Sequence, residues 1–415
     1  MELTTLHRNG LRFVLEEKGQ SGPNRFTVII GPNGSGKSRL LRAIVDHVSE
    51  PVEGTSLNSH TVGATSVAAI SNLITDSFPF ARASAPNYRY LGIRQSNNAA
   101  TTGALRDLTA QAVALSLGEP WRAQPVFGAV NLLGFRDFSV AFVGAKRPTR
   151  KDKLASALEW ELRGHELSAG QVVERLYDGL VEIQGSLSTL RHSSQAESQR
   201  RMRQVQTLSD ALAIDAHALL RIAKRTGFFD LELAVHDGDR WVADHELSTG
   251  QLLLLSLVAR VAAFVQPNSL VLVDEPETAL HPTWQSALVQ LIRESLPSEL
   301  SSHFFLATHS PYVVADGSDL LVPSEQWGHF EEYPEHFWGR SPENLLYRAF
   351  RARVTGNSAV DEDLLLVAET VGARQRPEDI GPARGAIRRL RAIAGDDTPS
   401  LNAMLDDALD SLEIG

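Results

Sequence analysis

A glycine-rich segment early in the chain has the residue types of a phosphate-binding loop. It reads Gly31-Pro32-Asn33-Gly34-Ser35-Gly36-Lys37-Ser38 and follows the apolar run 26–30, which predicts a buried parallel strand. The apolar set from Leu40 to Val48 follows at helical spacing. A strand, a glycine loop and a helix in this order direct backbone N–H groups and a helix N-terminus at phosphate oxygens. The segment is therefore a Walker A candidate.

The residues at the end of this loop would complete a nucleotide site. We expect Lys37 to reach the β and γ phosphates and the Ser38 hydroxyl to ligate Mg²⁺. The candidate nucleotide-binding residues of this loop are Gly31, Pro32, Asn33, Gly34, Ser35, Gly36, Lys37, Ser38 and Arg39. ATP and Mg²⁺ are the cofactors that this pattern predicts.

A second candidate set lies at the end of the apolar strand 269–273. Asp274 and Glu275 follow that strand directly, where ligands bind in open α/β sheets. We expect Asp274 to hold Mg²⁺, and Glu275 to orient or deprotonate the attacking water. The alternative is an acidic turn that caps the strand.

A histidine follows a further apolar strand, residues 303–308. His309 could contact the γ-phosphate or Glu275, and the alternative is an ordinary polar residue at a strand end. Together with Lys37, these two residues make up the predicted catalytic set.

The segment Leu247–Gln251, with the sequence Leu-Ser-Thr-Gly-Gln, opens an apolar helix, residues 252–265. Ser248 suits an N-cap. With Gly250 and Gln251 it could also bind a phosphate at the helix start. Because the Walker A loop of the same chain already serves one set of phosphates, the second helix end should serve a nucleotide held by another protomer. A homodimer or a higher homo-oligomer is the predicted assembly.

These four motifs, in the order in which they occur along the chain, resemble those of ABC-type ATPases, with Leu247–Gln251 between the glycine loop and the Asp-Glu pair in the place of the ABC signature. Two departures from the transporter branch favour the soluble SMC, RecF and OLD lineage, which includes bacterial antiphage ATPases of the Septu and retron-associated kind. One is the long separation between Gln95 and the signature, and the other is the stretch 277–282, Glu-Thr-Ala-Leu-His-Pro. The resemblance implies that Gln95, after the strand-like stretch 88–93, is a further Mg²⁺ ligand.

The resemblance also implies the fold, an α/β P-loop NTPase lobe with a mostly parallel sheet. Residues 1–100 would form its first part and residues 228–350 its second part. Residues 101–227 read as a mostly helical insertion without the sustained heptads of a long coiled-coil arm. Residues 351–415 read as a small helical tail. Within the second part, 236–239 is a predicted hairpin turn.

The segment 165–171 nearly repeats the signature segment 245–251. No second Walker A or Walker B motif accompanies it, so a tandem ATPase is excluded. Only the later copy precedes an apolar helix and then Asp274 and Glu275. We therefore expect the earlier copy to cap the helix that begins near Gln171.

Composition limits the class of protein, its location and its possible ligands. The chain has 415 residues, of which 43% are hydrophobic, and it has no cysteine and a formal net charge of −10. Disulfide frameworks and thiol chemistry are excluded, no run is long and apolar enough to predict a membrane span, and we expect a cytoplasmic protein. The negative charge disfavours a wholly basic nucleic-acid binder. Nucleic acid nevertheless stays a possible ligand, because the chain has basic stretches at 146–151, 200–203 and 384–391.

We expect an ATPase that regulates a separate effector, such as a nuclease, in bacterial antiphage defence. The resemblance suggests this role, and the tail shows no catalytic constellation of its own. One alternative is a RecF-like repair or replication accessory that binds DNA. Another is a structural scaffold clamped by ATP with little hydrolysis. A transporter subunit is the least favoured reading.

Overall fold

The computed structural model describes residues 5–8, 10–15, 24–49, 66–79, 87–94, 102–144, 151–161, 169–185, 194–315, 318–333, 342–348, 358–372, 380–394 and 398–413. The strands are β1 Thr5–Arg8, β2 Leu11–Val14, β3 Arg25–Ile30, β4 Ser66–Ser71, β5 Tyr88–Tyr90, β6 Asp137–Gly144, β7 Phe229–His236, β8 Trp241–Ala243, β9 Ser269–Asp274, β10 His303–Thr308, β11 Asp319–Pro323 and β12 His329–Glu332. The helices are α1 Lys37–Ser49, α2 Thr102–Ser116, α3 Pro120–Leu132, α4 Lys151–Glu161, α5 Ala169–Gly185, α6 Gln195–Leu212, α7 Ala216–Thr226, α8 Thr249–Phe264, α9 Pro282–Ser295, α10 Pro342–Arg348, α11 Ser358–Gly372, α12 Gly381–Ile393 and α13 Pro399–Glu413.

A nine-stranded sheet organises the chain, with the strand order β1-β2-β12-β11-β3-β10-β9-β4-β5. The pairs β1–β2 and β11–β12 are antiparallel, and the other neighbouring pairs in this sheet are parallel. The predicted α/β class with a mostly parallel sheet is therefore confirmed. Strands β3 and β9, which precede the glycine loop and the Asp-Glu pair, lie on either side of β10.

The central strands are buried on both faces, which explains why they read as continuous apolar runs rather than alternating ones. Successive side chains of β10 enter two different cores, because side chains alternate across a sheet. Phe304 and Leu306 pack into the core that includes α2, α3 and α8. Phe305 and Ala307 pack into the core on the opposite face, which includes α1.

The described residues between 101 and 227 are mostly helical, as predicted, but they also include a strand that the prediction did not. Strand β6 pairs antiparallel with β7, which pairs with β8 to form a separate three-stranded sheet. The segment Phe-Ser-Val-Ala-Phe-Val within β6 finds its partner almost a hundred residues away, so helical periodicity nearby was a poor guide. The predicted hairpin turn lies between β7 and β8, where Gly238 has a φ of +114°.

The helical segment is not detached from the sheet, because α2 and α3 pack directly on α8. Helix α8 is buried almost throughout and carries a fully buried arginine, Arg260. Its guanidinium donates to the carbonyls of Ser71 at 3.2 Å and Leu91 at 2.6 Å, and also to the Asn72 side chain. These contacts join α8 to the ends of β4 and β5. Burial lowers the pKa of Arg260 to about 9.

The C-terminal helices α11 to α13 form a small core of their own, as expected for a helical tail. Helix α10 connects this tail to the sheet, because Leu345 packs with Val28, Ile30 and Leu320. Across the residues that the structure describes, no helix combines the length and the apolar character that crossing a membrane requires.

We predict that Arg260→Ala lowers the free energy of unfolding by about 3 kcal/mol, because it leaves buried carbonyl acceptors unpaired and opens a cavity. Urea unfolding followed by circular dichroism measures this change. The control Arg240→Ala removes an exposed arginine, 62% accessible and paired with Glu246. It should change stability by less than about 1 kcal/mol. Equal effects of the two substitutions would contradict the role given to Arg260.

Candidate active site

The site lies where β3, β10 and β9 end side by side. Thr308 pairs with Ile30, and Ala307 pairs with Asp274, so the carboxyl ends of the three strands are level. The glycine loop, the Asp-Glu pair and His309 each follow one of these ends. The parallel register thereby brings the glycine loop together with two motifs that lie more than two hundred residues later in the sequence.

The glycine loop needs glycine for two separate reasons. Gly31, Gly34 and Gly36 have φ values of +150°, +83° and +99°, which other residues rarely adopt. A Cβ at Gly31 would also lie 2.7 Å from Cγ of Pro323. Helix α1 begins at Lys37, directly after the loop, so its N-terminal N–H groups face the same region.

Lys37 is 5% exposed and folds back on the loop. Its Nζ donates to the carbonyls of Gly31 at 2.8 Å and Pro32 at 3.2 Å. Burial lowers the pKa of Lys37, and the charges of the nearby carboxylates at 274, 275 and 277 oppose that shift. The ammonium is thus held against the glycine loop by two backbone carbonyls.

Ser38 and Asp274 are in direct contact, with the serine Oγ donating to Oδ1 of Asp274 at 2.9 Å. Asp274 is 1% exposed, and burial raises its pKa to about 6. Two hard oxygen ligands therefore lie together, and one carries a charge that its surroundings disfavour. This donor set fits Mg²⁺, which prefers oxygen ligands and would offset the buried negative charge.

Glu275 follows Asp274 with a φ of +50°, a backbone conformation that costs a non-glycine residue about 1 kcal/mol or more. Its N–H donates to the Ala307 carbonyl at 2.9 Å, and its own carbonyl accepts from Thr278 Oγ1 at 2.9 Å. Burial, followed by the charge of Glu277, raises the pKa of Glu275 to about 7. A carboxyl with this pKa can take up or release a proton near neutral pH.

Glu277 is a site residue to which the sequence interpretation assigned no role. It is 4% exposed, and its Oε1 accepts from Thr308 Oγ1, from the His309 N–H at 2.8 Å and from the Ser310 N–H at 3.2 Å. Its Oε2 is buried without a hydrogen-bond partner among the described residues. Glu277 thus ties the segment after β10 to the segment after β9. The sequence feature that could have indicated this role is the position of Glu277, two residues after Glu275.

His309 lies against both glutamates. Its Nδ1 contacts Oε2 of Glu275 and lies 3.0 Å from Oε1 of Glu277. With both carboxylates ionised, Nδ1 must carry the hydrogen, since carboxylates only accept. The imidazole is 55% exposed, so its other nitrogen is accessible from outside the cluster. Of the two predicted contacts, the one to Glu275 is present.

The rest of the stretch 277–282 has a structural explanation. The His281 side chain accepts from the Thr283 N–H at 3.3 Å, and Pro282 occupies the first turn of α9, where proline is favoured. Residues 281 and 282 therefore start a helix, whereas Glu277 belongs to the site.

The residues of the predicted signature lie at the start of α8. Ser248 is its N-cap, with Oγ accepting from the Gln251 N–H at 3.3 Å, and Gln251 Oε1 accepts from the Ser248 N–H at 2.9 Å. This is the N-cap that the sequence predicted. A Cβ at Gly250 would lie 2.6 Å from the Ala279 carbonyl, so glycine is required by close packing.

The hydrogen bonds of the Ser248 and Gln251 side chains stay within the signature in the part of the chain that the structure describes. They make no bond to the glycine loop of their own chain. Gln95 and Ser168, predicted as a metal ligand and as part of the near-repeat, lie outside the described residues. Helix α5 begins at Ala169, close to the predicted start.

We predict that Asp274→Asn raises the free energy of unfolding by about 2 kcal/mol at pH 8, because the folded pKa of about 6 exceeds the usual 3.8. Between these values the native state binds more protons than the unfolded state, so this carboxyl destabilises the fold increasingly from about pH 4 to pH 6. The gain should therefore shrink at pH 4.5. Urea unfolding at both pH values measures it.

The surface substitution Asp178→Asn serves as the matched control, with a change below about 0.5 kcal/mol at either pH. A loss of stability for Asp274→Asn at pH 8, or a gain that does not depend on pH, would contradict the assignment of burial as the cause.

Residues 145–315 match the family described as "AAA domain, putative AbiEii toxin, Type IV TA system". This range includes the signature, the Asp-Glu pair and His309. The chain is 23% identical over 368 residues to the retron Vc95 probable ATPase of Vibrio cholerae serotype O1 biovar El Tor, covering 74% of this chain and 69% of that protein.

Two solved structures align with most of the chain at low similarity. One is a nucleotide-free ATP-binding cassette from an ABC transporter, with 13% identity, 79% and 87% of the two chains covered, and a TM-score of 0.28. The other is the Smc head domain with an extended coiled coil bound to the C-terminal domain of ScpA from Pyrococcus furiosus. This structure is 14% identical to the chain, the alignment covers 78% of this chain and 92% of that one, and the TM-score is 0.29.

An ATPase-type function is supported by the family match and by the relative. Both agree with the order of the motifs and with the strand ends that assemble three of them. The chain is thus similar to an AAA-domain family over residues 145–315 and to a retron-associated probable ATPase over most of its length.

Proposed function

We propose that this protein binds ATP with Mg²⁺, closes a homodimer around it and hydrolyses it, and that this cycle controls a separate effector in antiphage defence. The observation that carries the proposal is the meeting of Lys37, Asp274, Glu275 and His309 where three parallel strands end. A phosphate loop, a metal-binding carboxylate and a base with a titratable partner are the parts that phosphoryl transfer to water requires.

In this proposal Lys37 exchanges its two loop carbonyls for β and γ phosphate oxygens, which are stronger acceptors because they are charged. Ser38 and Asp274 would hold Mg²⁺, which supplies neutralisation of the phosphate charge when bound. Glu275 accepts the proton of the attacking water. His309, held at both glutamates, keeps the Glu275 carboxylate in place and offers its accessible nitrogen to the γ-phosphate.

The proposed dimer rests on the exposed start of α8. The N–H groups of Thr249 and Gly250 have no partner among the described residues, so they are available to an anion. Ser248 and Gln251 cap each other rather than contact the glycine loop of their own chain. A second protomer can therefore supply the phosphates that this helix start would bind.

The effector and the defence role are proposed from the similar proteins, whose names refer to a type IV toxin–antitoxin system and to a retron. A nuclease remains the proposed effector. Nucleic acid stays a candidate direct ligand. In the two described basic stretches, Arg201 is 3% exposed and lies 3.6 Å from Glu197, and Arg389 and Arg391 are paired with Asp363 and Asp406. The other arginines of these stretches are exposed, namely Arg200, Arg203, Arg384 and Arg388.

The decisive experiment uses Glu275→Gln. This change should lower ATP turnover at least 100-fold, the usual contribution of a general base, while nucleotide binding is kept. The variant should accumulate as a dimer when ATP and Mg²⁺ are present, as measured by multi-angle light scattering. Adding Ser248→Arg should abolish that dimer, whereas the matched control Ser168→Arg, in the near-repeat, should leave it intact.

If Glu275→Gln hydrolyses ATP at the wild-type rate, the assignment of the base is wrong. If Ser168→Arg breaks the dimer and Ser248→Arg does not, the signature has been assigned to the wrong copy.

The pH dependence offers a separate check. Because the pKa of Glu275 is about 7 and the base must be ionised, kcat/KM for ATP should rise with pH and level off above about pH 7. Burial raises this pKa most, and the charge of Glu277 raises it further. Glu277→Gln keeps an oxygen acceptor for Thr308 and His309 but removes that charge. The rise of kcat/KM with pH should therefore occur at lower pH in Glu277→Gln than in the wild type. A rise at the same pH, or at higher pH, would show that Glu277 does not act on Glu275.

A further inference from the structure

The hairpin formed by β11 and β12 touches the glycine loop at two points. Pro323, the last residue of β11, packs against Gly31 so closely that a Cβ at Gly31 would lie 2.7 Å from the proline Cγ. In the turn that follows, the indole Nε1 of Trp327 donates to the Gly34 carbonyl at 3.2 Å. The hairpin therefore supports the loop from one side, although no motif of the sequence includes it.

The turn that carries Trp327 is held in a fixed conformation. Gly328 has a φ of +83°, and a Cβ there would lie 2.8 Å from the Gly10 carbonyl. The Gly328 carbonyl also accepts from the Arg12 N–H at 2.9 Å. The Ser324 N–H donates to the His329 carbonyl at 2.9 Å and closes the turn. The indole is thus presented by a braced turn between two neighbouring strands.

Trp327 is nevertheless 55% exposed, and it is the one aromatic among the exposed large hydrophobic side chains of the described residues. Its N–H bond to Gly34 places the ring edge against the loop, and a large part of its surface remains open to solvent. The Arg39 guanidinium lies over the same ring, 5.5 Å from its centre. An open indole and a cation therefore adjoin the outer side of the phosphate-binding loop.

We propose that Trp327 is the stacking platform for the nucleobase, with Arg39 beside it for the phosphate nearest the sugar. The proposal rests on the proposed function, since it places the rest of the nucleotide whose phosphates the loop binds. A nucleoside triphosphate bound at this loop has one apolar, planar part, and Trp327 offers the matching surface next to the loop. Base stacking on an aromatic ring accepts every base, so the site should select nucleotides without strongly preferring adenine.

The test separates the base from the phosphates. Binding is measured by isothermal titration calorimetry with Mg²⁺ in a Glu275→Gln, Ser248→Arg background, which removes the proposed base and the proposed contact between protomers. The probes are ATP, GTP and inorganic tripolyphosphate, which has no base. Trp327→Leu keeps apolar bulk but loses the ring, and Trp327→Phe keeps a ring but loses the bond to Gly34.

Trp327→Leu should weaken ATP and GTP about tenfold each and leave tripolyphosphate unchanged. Trp327→Phe should bind all three probes within about threefold of the parent protein. Equal weakening of ATP and tripolyphosphate by Trp327→Leu would mean that the indole only braces the loop, and would overturn the proposal. Unchanged ATP affinity in Trp327→Leu would overturn it too.

Failure of the underlying site would look different. Lys37→Ala should weaken all three probes, because each of them contains the phosphates. If ATP and tripolyphosphate bind Lys37→Ala as well as they bind the parent protein, the phosphate loop is not the nucleotide site, and both proposals fall.

Discussion

The parallel register of β10 between β3 and β9 is the constraint on which the site depends. Both pairings are in step along the whole strand, so the residues that follow the three strands meet at one edge. A slip by one residue would exchange the two faces of β10 and bury its side chains in the wrong cores. The Phe26 and Phe304 rings, stacked with centres 4.5 Å apart, lie in one of those cores and oppose such a slip.

The ionised groups at this edge of the sheet destabilise the fold because they are buried. Burial disfavours the ammonium of Lys37 and the carboxylates of Asp274 and Glu275, and the Glu277 charge adds to the effect on Glu275. A fold selected for stability alone would avoid this grouping. The cluster persists because the strands on which it stands are packed on both faces. Such a site is poised to gain from a ligand that brings both positive and negative charge.

Much of this architecture could be predicted from short-range patterns. Apolar runs of strand length marked β3, β9 and β10, and the glycine loop indicated the turn into α1. Ser248 was predicted as an N-cap because capping is a local property of the helix start. The contact of His309 with Glu275 followed from two strand ends that the fold places side by side.

The remainder depends on long-range contacts that no local pattern encodes. Strand β6 was missed because its partner β7 lies far away in sequence. The three bonds to Glu277 come from the end of a neighbouring strand, and Trp327 reaches the glycine loop only because β11 lies beside β3. In each case the sheet order supplies the neighbour. Sequence spacing alone could not indicate the pairing of β6 with β7, the bonds that Glu277 accepts, or the bond from Trp327 to Gly34.

The fit of Gly250 against the Ala279 carbonyl has a consequence for communication between the two nucleotides of the proposed dimer. Ala279 lies in the left-handed region, with a φ of +58°, and Thr278 beside it is bonded to the carbonyl of Glu275. In that proposed dimer, an anion that shifts the start of α8 would displace this turn and, through Thr278, the backbone of Glu275 in the same chain. Each protomer would then sense the nucleotide held by its twin, and linkage requires that influence to be reciprocal. Hydrolysis at the two sites of the proposed dimer would then be coupled rather than independent.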